Sequence, residues 1–270
     1  MALKRVLVAN RGEIGLRLVR GCHAANIEAV AAHVPGEAGA PYVEAADSAV
    51  QVATFLDAAG LVAAARSAGC DALHPGYGFL SERPELAEAC AAAGIVFVGP
   101  SPDALRRLGD KVAARELAIA AGFALVPGGS DPATIGFPVL VKAAAGGGGR
   151  GMRVVRDAGE LEAAMASAAR EAEAAFGDPT LYAERYLEGA RHVEVQAFGD
   201  GQGGAVHLGL RDCSLQRRHQ KVIEEAPAPG IPAQLIADVG ERCAQACRRI
   251  GYCGVGTFEF LYEDGAFYFI

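Results

Sequence analysis

The chain has 270 residues, 51% of them hydrophobic and 21% charged, with a mean hydropathy of +0.20. That balance builds a large buried interior in one large or two ordinary domains and excludes disorder, collagen-like repeats and a disulfide scaffold. A formal charge of −7 argues against broad adhesion to nucleic acid or anionic lipid, and the apolar runs fall short of the ~20 residues that cross a bilayer. The start, Met1-Ala2-Leu3-Lys4-Arg5, leads from two cations into a strand-like run without a targeting core. A cytoplasmic protein without membrane or nucleic-acid partners is expected. The seven cysteines are odd in number and form no C-x-x-C pair, so they read as small, reduced core residues.

In chain order, Val6 to Asn10, Glu28 to Val34, Ala49 to Ala53, Ala72 to His74 and Ile95 to Gly99 read as strands, with helices near 13–25, 58–68 and 84–93 between them. Apolar strands alternating with helices predict a parallel sheet covered on both faces, with ligands at the strand C-terminal ends. Ser101 or Asp103 is a candidate N-cap for a helix over 104–121, interrupted near Gly109. A strand through Lys142, a glycine loop, a strand over 152–156, a helix over 158–176 and a strand over 181–186 form a small lobe. Antiparallel pattern follows: strands at 192–198 and 205–210 about a turn at Asp200-Gly201, a helix over 232–250, and a hairpin at 257–262 and 267–270 turned at Asp264-Gly265.

Several segments carry chemistry. Gly146 to Gly149 are four consecutive glycines, a costly sequence to order, which suits a loop that closes over phosphates. Lys142 ends an apolar strand just upstream, where a lone ammonium needs an anion. The lysine precedes the glycines, so this is no Walker A loop. Gly12 and Gly15 leave only a G-x-x-G of a dinucleotide fingerprint, with Glu28 an imperfect ribose acid; tight helix–strand packing explains the pair as well as a ligand does. His74 opens a shaped loop through Glu82 and by itself reads as a structural histidine. From Arg211 to Pro227 the chain is dense in charge. Strand alternation places Arg217, His219 and Lys221 on one face, where they can converge on an anion, with Glu224 and Glu225 to hold them. Glu259 lies among strand apolar residues and faces either solvent or a nucleotide site, where a carboxylate suits magnesium.

Together these segments resemble the biotin carboxylase component of biotin-dependent carboxylases, a member of the ATP-grasp superfamily. The resemblance rests on Ala9 to Ile14, His74 to Glu82, Gly109-Asp110-Lys111, Lys142 through Met152, Arg191 to Glu194, Gln216 to Pro227 and Gly256 to Phe260. It implies an α/β fold with three parts: a Rossmann-like parallel-sheet domain over 1–108, a linker helix and ATP-grasp lid lobe over 109–187, and the first part of the antiparallel-sheet lobe over 188–270. It implies ATP- and magnesium- (or manganese-) dependent carboxylation, by bicarbonate, of biotin borne on a biotin carboxyl carrier protein. A carboxyltransferase component and a homodimer come with the family. Residue by residue, Lys111 and Lys142 match the family's phosphate lysines, Gly146, Gly147, Gly148 and Gly149 its lid, and Glu184 and Leu187 the surround of adenine. His192, Gln216 and His219 match nucleotide-site polar residues, Lys221 the bicarbonate lysine and Glu259 a magnesium ligand; Lys221 and His219 are the catalytic candidates.

Two departures accompany the match. The stretch from Lys111 to Lys142 is about a dozen residues shorter than the family's, and the family continues past Ile270 with a segment that supplies a second magnesium carboxylate and further catalytic side chains. The expectation is a chain that holds ATP but is catalytically incomplete. Another ATP-grasp carboxylate ligase, or a non-catalytic nucleotide-binding or oligomerising fragment, are the competing readings.

Overall fold

The computed structural model describes residues 2–129, 131–143, 152–217 and 220–270. Contacts divide the chain into one unit of Met1–Ala114, Phe198–Ala205 and Cys247–Val255 and a second of Arg115–Ala197, Val206–Ala246 and Gly256–Ile270.

The first unit runs β1 (Arg5–Val8), α1 (Gly12–Ala24), β2 (Glu28–His33), α2 (Pro41–Glu44), β3 (Ser48–Gln51), α3 (Ala58–Ser67), β4 (Ala72–His74), α4 (Pro84–Ala92), β5 (Val96–Phe97) and α5 (Pro102–Gly109). The strands pair in the order β3-β2-β1-β4-β5, every pair parallel, as the strand–helix alternation predicts. Successive strand residues serve opposite faces. Leu7, Val30 and Leu73 pack with Leu61 and Leu86, while Val6, Val8, Ala29 and Ala72 pack with Val19 of α1. Two cores sandwich the sheet, and each fully buried Leu or Val contributes roughly 1.5–3 kcal/mol.

At the C-terminal edge of β1 and β4, buried Asn10 donates through Nδ2 to the carbonyls of Pro75 (2.7 Å) and Tyr77 (2.8 Å). Gly76 takes φ +64°, and a Cβ there would lie 2.8 Å from both Asn10 Nδ2 and Ile14 Cγ2, so this contact requires glycine. The Gly76 amide donates to His74 Nδ1 at 3.1 Å, and burial lowers the His74 pKa, which agrees with the structural reading of that histidine. Gly15 is likewise a packing glycine, since a Cβ there would meet the Tyr42 ring at 2.8 Å. Glu28 is the first residue of β2, at the opposite end of the strand from the ligand edge, and pairs with Arg5 at 2.5 Å. The dinucleotide reading is therefore discarded.

Ser101 caps α5, its Oγ accepting from the Ala104 amide at 3.2 Å; Asp103 does not cap. The predicted 104–121 helix breaks at Asp110, one residue beyond Gly109. There the backbone is extended and the side chain accepts from the Ala113 amide at 2.9 Å, starting α6 (Lys111–Ala120).

The second unit continues with β6 (Ala124–Leu125), β7 (Gly128–Gly129), α7 (Pro132–Ile135), β8 (Val139–Ala143), β9 (Arg153–Val155), α8 (Ala158–Phe176) and β10 (Leu181–Arg185). A four-stranded sheet, β7-β10-β8-β9, is antiparallel throughout. Val139, Val141, Val155 and Ala183 bury one face against Ala168 and Leu161 of α8, which turns Lys142, Tyr182 and Glu184 to the other. Then come β11 (Arg191–Asp200), β12 (Ala205–Arg217), β13 (Gln220–Glu225), α9 (Ala233–Arg249), β14 (Cys253–Glu263) and β15 (Ala266–Phe269), in a sheet ordered β13-β12-β11-β14-β15-β6. Its covered face buries Val193, Val195, Leu210 and Phe260 with Val239 and Cys243 of α9 and Phe123.

Six cysteines are buried and all seven are free, but Cys253 is exposed, against the expectation of seven core residues. Among the described residues no helix is long and apolar enough to cross a membrane.

Candidate functional site

The apolar residues of β11 that face α9 are Val193 and Val195, so strand alternation turns His192, Glu194 and Gln196 to the uncovered face. In β14, Phe258 and Phe260 join the core, and Glu259 between them lands on that same uncovered face. Glu259 thus faces Lys221 and His192 on that side of the sheet. β12 and β13 pair antiparallel with Arg217 opposite Gln220 and Gln216 opposite Lys221. Arg217 and Lys221 thus lie on two paired strands, not on the single alternating strand expected from the sequence. Lys221 and Gln216 thereby become neighbours.

The centre of the cluster is Lys221. Its Nζ donates to Glu259 Oε1 at 2.6 Å and to Glu194 Oε2. Arg211 donates to the other Glu194 oxygen and, at 2.9 Å, to Gln196 Oε1. Glu194, only 3% exposed, is held ionised: burial opposes its charge, but the hydrogen bonds from Lys221 and Arg211 prevail and lower its pKa. Burial likewise opposes the Lys221 charge, and the two carboxylates outweigh it and raise its pKa. The His192 imidazole and Lys221 together bring Glu259 down to about 2. His192 Nε2 lies 3.6 Å from Glu259 Oε2, an ion-pair distance too long for a hydrogen bond, and is buried without a hydrogen-bond partner. Its Nδ1 meets Gln216 Nε2 at 2.7 Å, and its backbone amide donates to Ser214 Oγ at 3.1 Å.

The expected role of Glu224 and Glu225 is corrected here. Of the expected cations Lys221 is held by Glu194 and Glu259, not by Glu224 or Glu225, while Glu224 lies 3.5 Å from Arg211. His192, Glu194 and Glu259 present ligand atoms within 4.8 Å of one another, as do Glu194, Cys213 and Glu224. Burial and the nearby Glu194 charge push the Cys213 thiol up to about 12, so the second trio lacks a thiolate at neutral pH. The first offers ionised oxygen, suited to magnesium.

A second cluster sits on the four-stranded sheet. Lys142 Nζ is 2.5 Å from Glu184 Oε2, so the lysine is not the lone ammonium expected from the sequence: a carboxylate of the chain itself meets it. Leu187 is buried just beyond β10. Lys111 opens α6, while Gly146, Gly147, Gly148, Gly149 and His219 lie outside the described residues. The residue-by-residue reading did not single out Glu194 and Arg211, which meet in the Lys221 cluster, or Arg115, whose Nη1 lies 3.4 Å from Glu184 Oε1. The period-2 pattern of β11 could have flagged Glu194, which shares the face of His192. No local pattern marks Arg115, whose partners are nearly seventy residues away.

Residues 110–270 match the family described as "Carbamoyl-phosphate synthase L chain, ATP binding domain", and residues 2–105 match "Biotin carboxylase, N-terminal domain". The chain belongs to the biotin carboxylase family of ATP-grasp proteins. It is 48% identical to a biotin carboxylase of Haemophilus influenzae over 99% of its own length and 64% of that protein's. Among solved structures, a biotin carboxylase–ATP complex from Campylobacter jejuni superimposes with a TM-score of 0.92 at 42% identity, covering 100% of this chain and 64% of that one. The biotin carboxylase domain dimer of Hydrogenobacter thermophilus 2-oxoglutarate carboxylase, in complex with MgADP, ADP and bicarbonate, gives 0.91 at 40% identity, covering 100% and 63%. The chain thus spans less than two thirds of the length of these relatives. Its parallel sheet, four-stranded lobe and antiparallel sheet are the ATP-grasp architecture implied by the sequence. The alignment with the Haemophilus protein runs over 286 positions against 270 residues here, so this chain carries gaps relative to that protein.

Proposed function

We propose that the protein to which this chain belongs carries out ATP- and magnesium-dependent carboxylation of carrier-borne biotin with bicarbonate, and that this chain supplies the nucleotide and bicarbonate side of that site. The observation that carries the reading is the gathering of His192, Glu194, Gln216, Lys221 and Glu259 on the uncovered face of one sheet, with Lys142 and Glu184 facing away from the core of the other. Phosphoryl transfer is chiefly positioning and neutralisation of charge, and these residues are cations, polar donors and an ionised carboxylate.

Each role follows from the chemistry of the group. Lys221 stays cationic across neutral pH because two carboxylates raise its pKa, so it attracts bicarbonate as a fixed charge and does not act as a base. Lys142 and Lys111 neutralise nucleotide phosphates, with Gly146 to Gly149 as the closing loop; Glu184 and Leu187 surround the adenine. His192, Gln216 and His219 are the remaining polar groups of the site, and His192 Nε2, 3.6 Å from Glu259 and without a hydrogen bond among the described residues, can meet a ligand atom. Glu259, ionised down to about 2, fits a hard divalent cation, magnesium or manganese. When bound, that ion would neutralise charge between phosphate oxygens. Residues 1–108, 109–187 and 188–270 are the proposed working parts, the middle one the lid. A biotin carboxyl carrier protein and a carboxyltransferase are the partners, a homodimer the assembly and the cytoplasm the place.

Titration calorimetry with MgATP tests the binding half. Saturable binding is expected, weakened about tenfold or more by Lys142→Ala, which removes a charge-assisted phosphate contact; no binding by the wild-type chain overturns the reading. For the bicarbonate half, ATP cleavage is measured with and without bicarbonate and biotin. Lys221→Ala is expected to abolish any bicarbonate stimulation while leaving MgATP binding, and stimulation that survives it removes Lys221 from this role.

A further inference from the structure

Glu184 is 8% exposed and faces two cations of its own chain, Lys142 Nζ at 2.5 Å from one oxygen and Arg115 Nη1 at 3.4 Å from the other. Lys142 reaches it diagonally across the β8–β10 pairing, where Tyr182 stands opposite Lys142 and Glu184 opposite Leu140. Arg115 comes from α6 and has anchors of its own. Its Nη2 donates to the Tyr182 hydroxyl at 3.1 Å, and its guanidinium carbon sits 5.4 Å from the centre of the Tyr182 ring, within cation–π range. One buried carboxylate thus has two cations, and the more loosely bound of the two is independently fixed.

We propose that Arg115 is a positioning residue for the nucleotide site: it keeps Glu184 neutralised when Lys142 leaves that carboxylate for the phosphates of ATP. This rests on the reading of Lys142 as a phosphate lysine. A buried carboxylate stripped of its partner is strongly unfavourable, so without Arg115 every phosphate contact made by Lys142 would carry the penalty of an unpaired Glu184. With Arg115 held by Tyr182, the carboxylate keeps a guanidinium, and Lys142 is free to exchange one anion for another. The spare positive charge of the ligand-free cluster then draws the nucleotide.

The test is calorimetric titration of MgATP into the wild-type chain, Arg115→Leu, Arg115→Lys, Glu184→Gln and the Arg115→Leu/Glu184→Gln double variant, with ligand-free melting temperatures alongside. Arg115→Leu is expected to weaken MgATP about tenfold while shifting the ligand-free melting temperature little, because Lys142 still pairs Glu184 when no nucleotide is present. Arg115→Lys should recover most of the affinity, since it keeps the charge. In the Glu184→Gln background, where the neutral amide needs no cation, removing Arg115 should cost no more than about twofold. Unchanged affinity in Arg115→Leu overturns the proposal. An undiminished penalty in the Glu184→Gln background overturns it too, because Arg115 would then act on the nucleotide directly. Failure of the wild-type chain to bind MgATP overturns the underlying reading and this proposal with it, an outcome distinct from binding that ignores Arg115.

Discussion

Gly76 sits at φ +64° with Asn10 and Ile14 each 2.8 Å from the place a Cβ would occupy, so strain and overlap act together there. Gly76→Ala is expected to destabilise the chain by about 1–3 kcal/mol in equilibrium denaturation, and a loss below about 0.5 kcal/mol would contradict this packing. Glu259 makes a different residue-scale prediction. Its folded pKa of about 2 lies below the ordinary 4.5, so between these values the unfolded chain binds more protons and stability rises with pH. The contribution is fully present above the ordinary value and is lost as pH falls toward 2. The stability gap between wild type and Glu259→Gln is therefore expected to shrink from about pH 6 to about pH 3, and a gap constant over that range would show Glu259 unpaired. That Glu259 is flanked by Phe258 and Phe260 was legible in the sequence; which face it took was not, because that depended on α9 covering one side. Lys142 was legible as a charge in need of an anion, whereas its partner Glu184, 42 positions later, is fixed only by the β8–β10 register.

At the scale of elements, the aromatic packing under β14 and β15 sustains the sheet that carries His192, Lys221 and Glu259. Phe260 is fully buried, with ring centroids 5.2 Å from Phe123, 5.8 Å from Phe267 and 5.9 Å from Phe269. Phe260→Ala is expected to cost about 3–5 kcal/mol by denaturant titration, and Phe260→Leu appreciably less, since it leaves the smaller cavity. Elements as long as α8 and α9 were readable because a helical period repeats over several turns. The two-residue strands β6 and β7 and the four-residue helices α2 and α7 are too short for any period to show, and β6 exists as a strand only through its parallel pairing with β15. The run Arg211 to Lys221 failed differently. Its composition fits one strand, and only pairing between β12 and β13 reveals a reversal that makes Gln216 and Lys221 neighbours.

For the molecule as a whole, the parallel sheet followed from strand–helix alternation, because such connections leave few topologies. Phe198–Ala205 and Cys247–Val255, remote in sequence, cluster with Met1–Ala114, a grouping that no local pattern announces. Of the proposed nucleotide residues, Lys142, Glu184, His192, Gln216, Lys221 and Glu259 fall in the second unit and Lys111 in the first, and Leu73, fully buried, belongs to the core of the first. Leu73→Ala is expected to lower stability by about 2–5 kcal/mol. A ligand that binds only the folded state stabilises it by about 2.7 kcal/mol at a hundred times its Kd, which for a protein of this size raises the melting temperature by roughly 5–10 °C. Substitution and ligand share no partner, so their effects should add. Scanning calorimetry with and without MgATP at a fixed multiple of Kd should then show the same increment in wild type and Leu73→Ala, from a lower starting point in the variant. At the wild-type ligand concentration Lys142→Ala should lose about half or more of that increment, the logarithmic consequence of a tenfold weaker Kd. An increment that persists in full in Lys142→Ala would remove Lys142 from the phosphate contacts, and one that collapses in Leu73→Ala would overturn the independence of that core from the ligand.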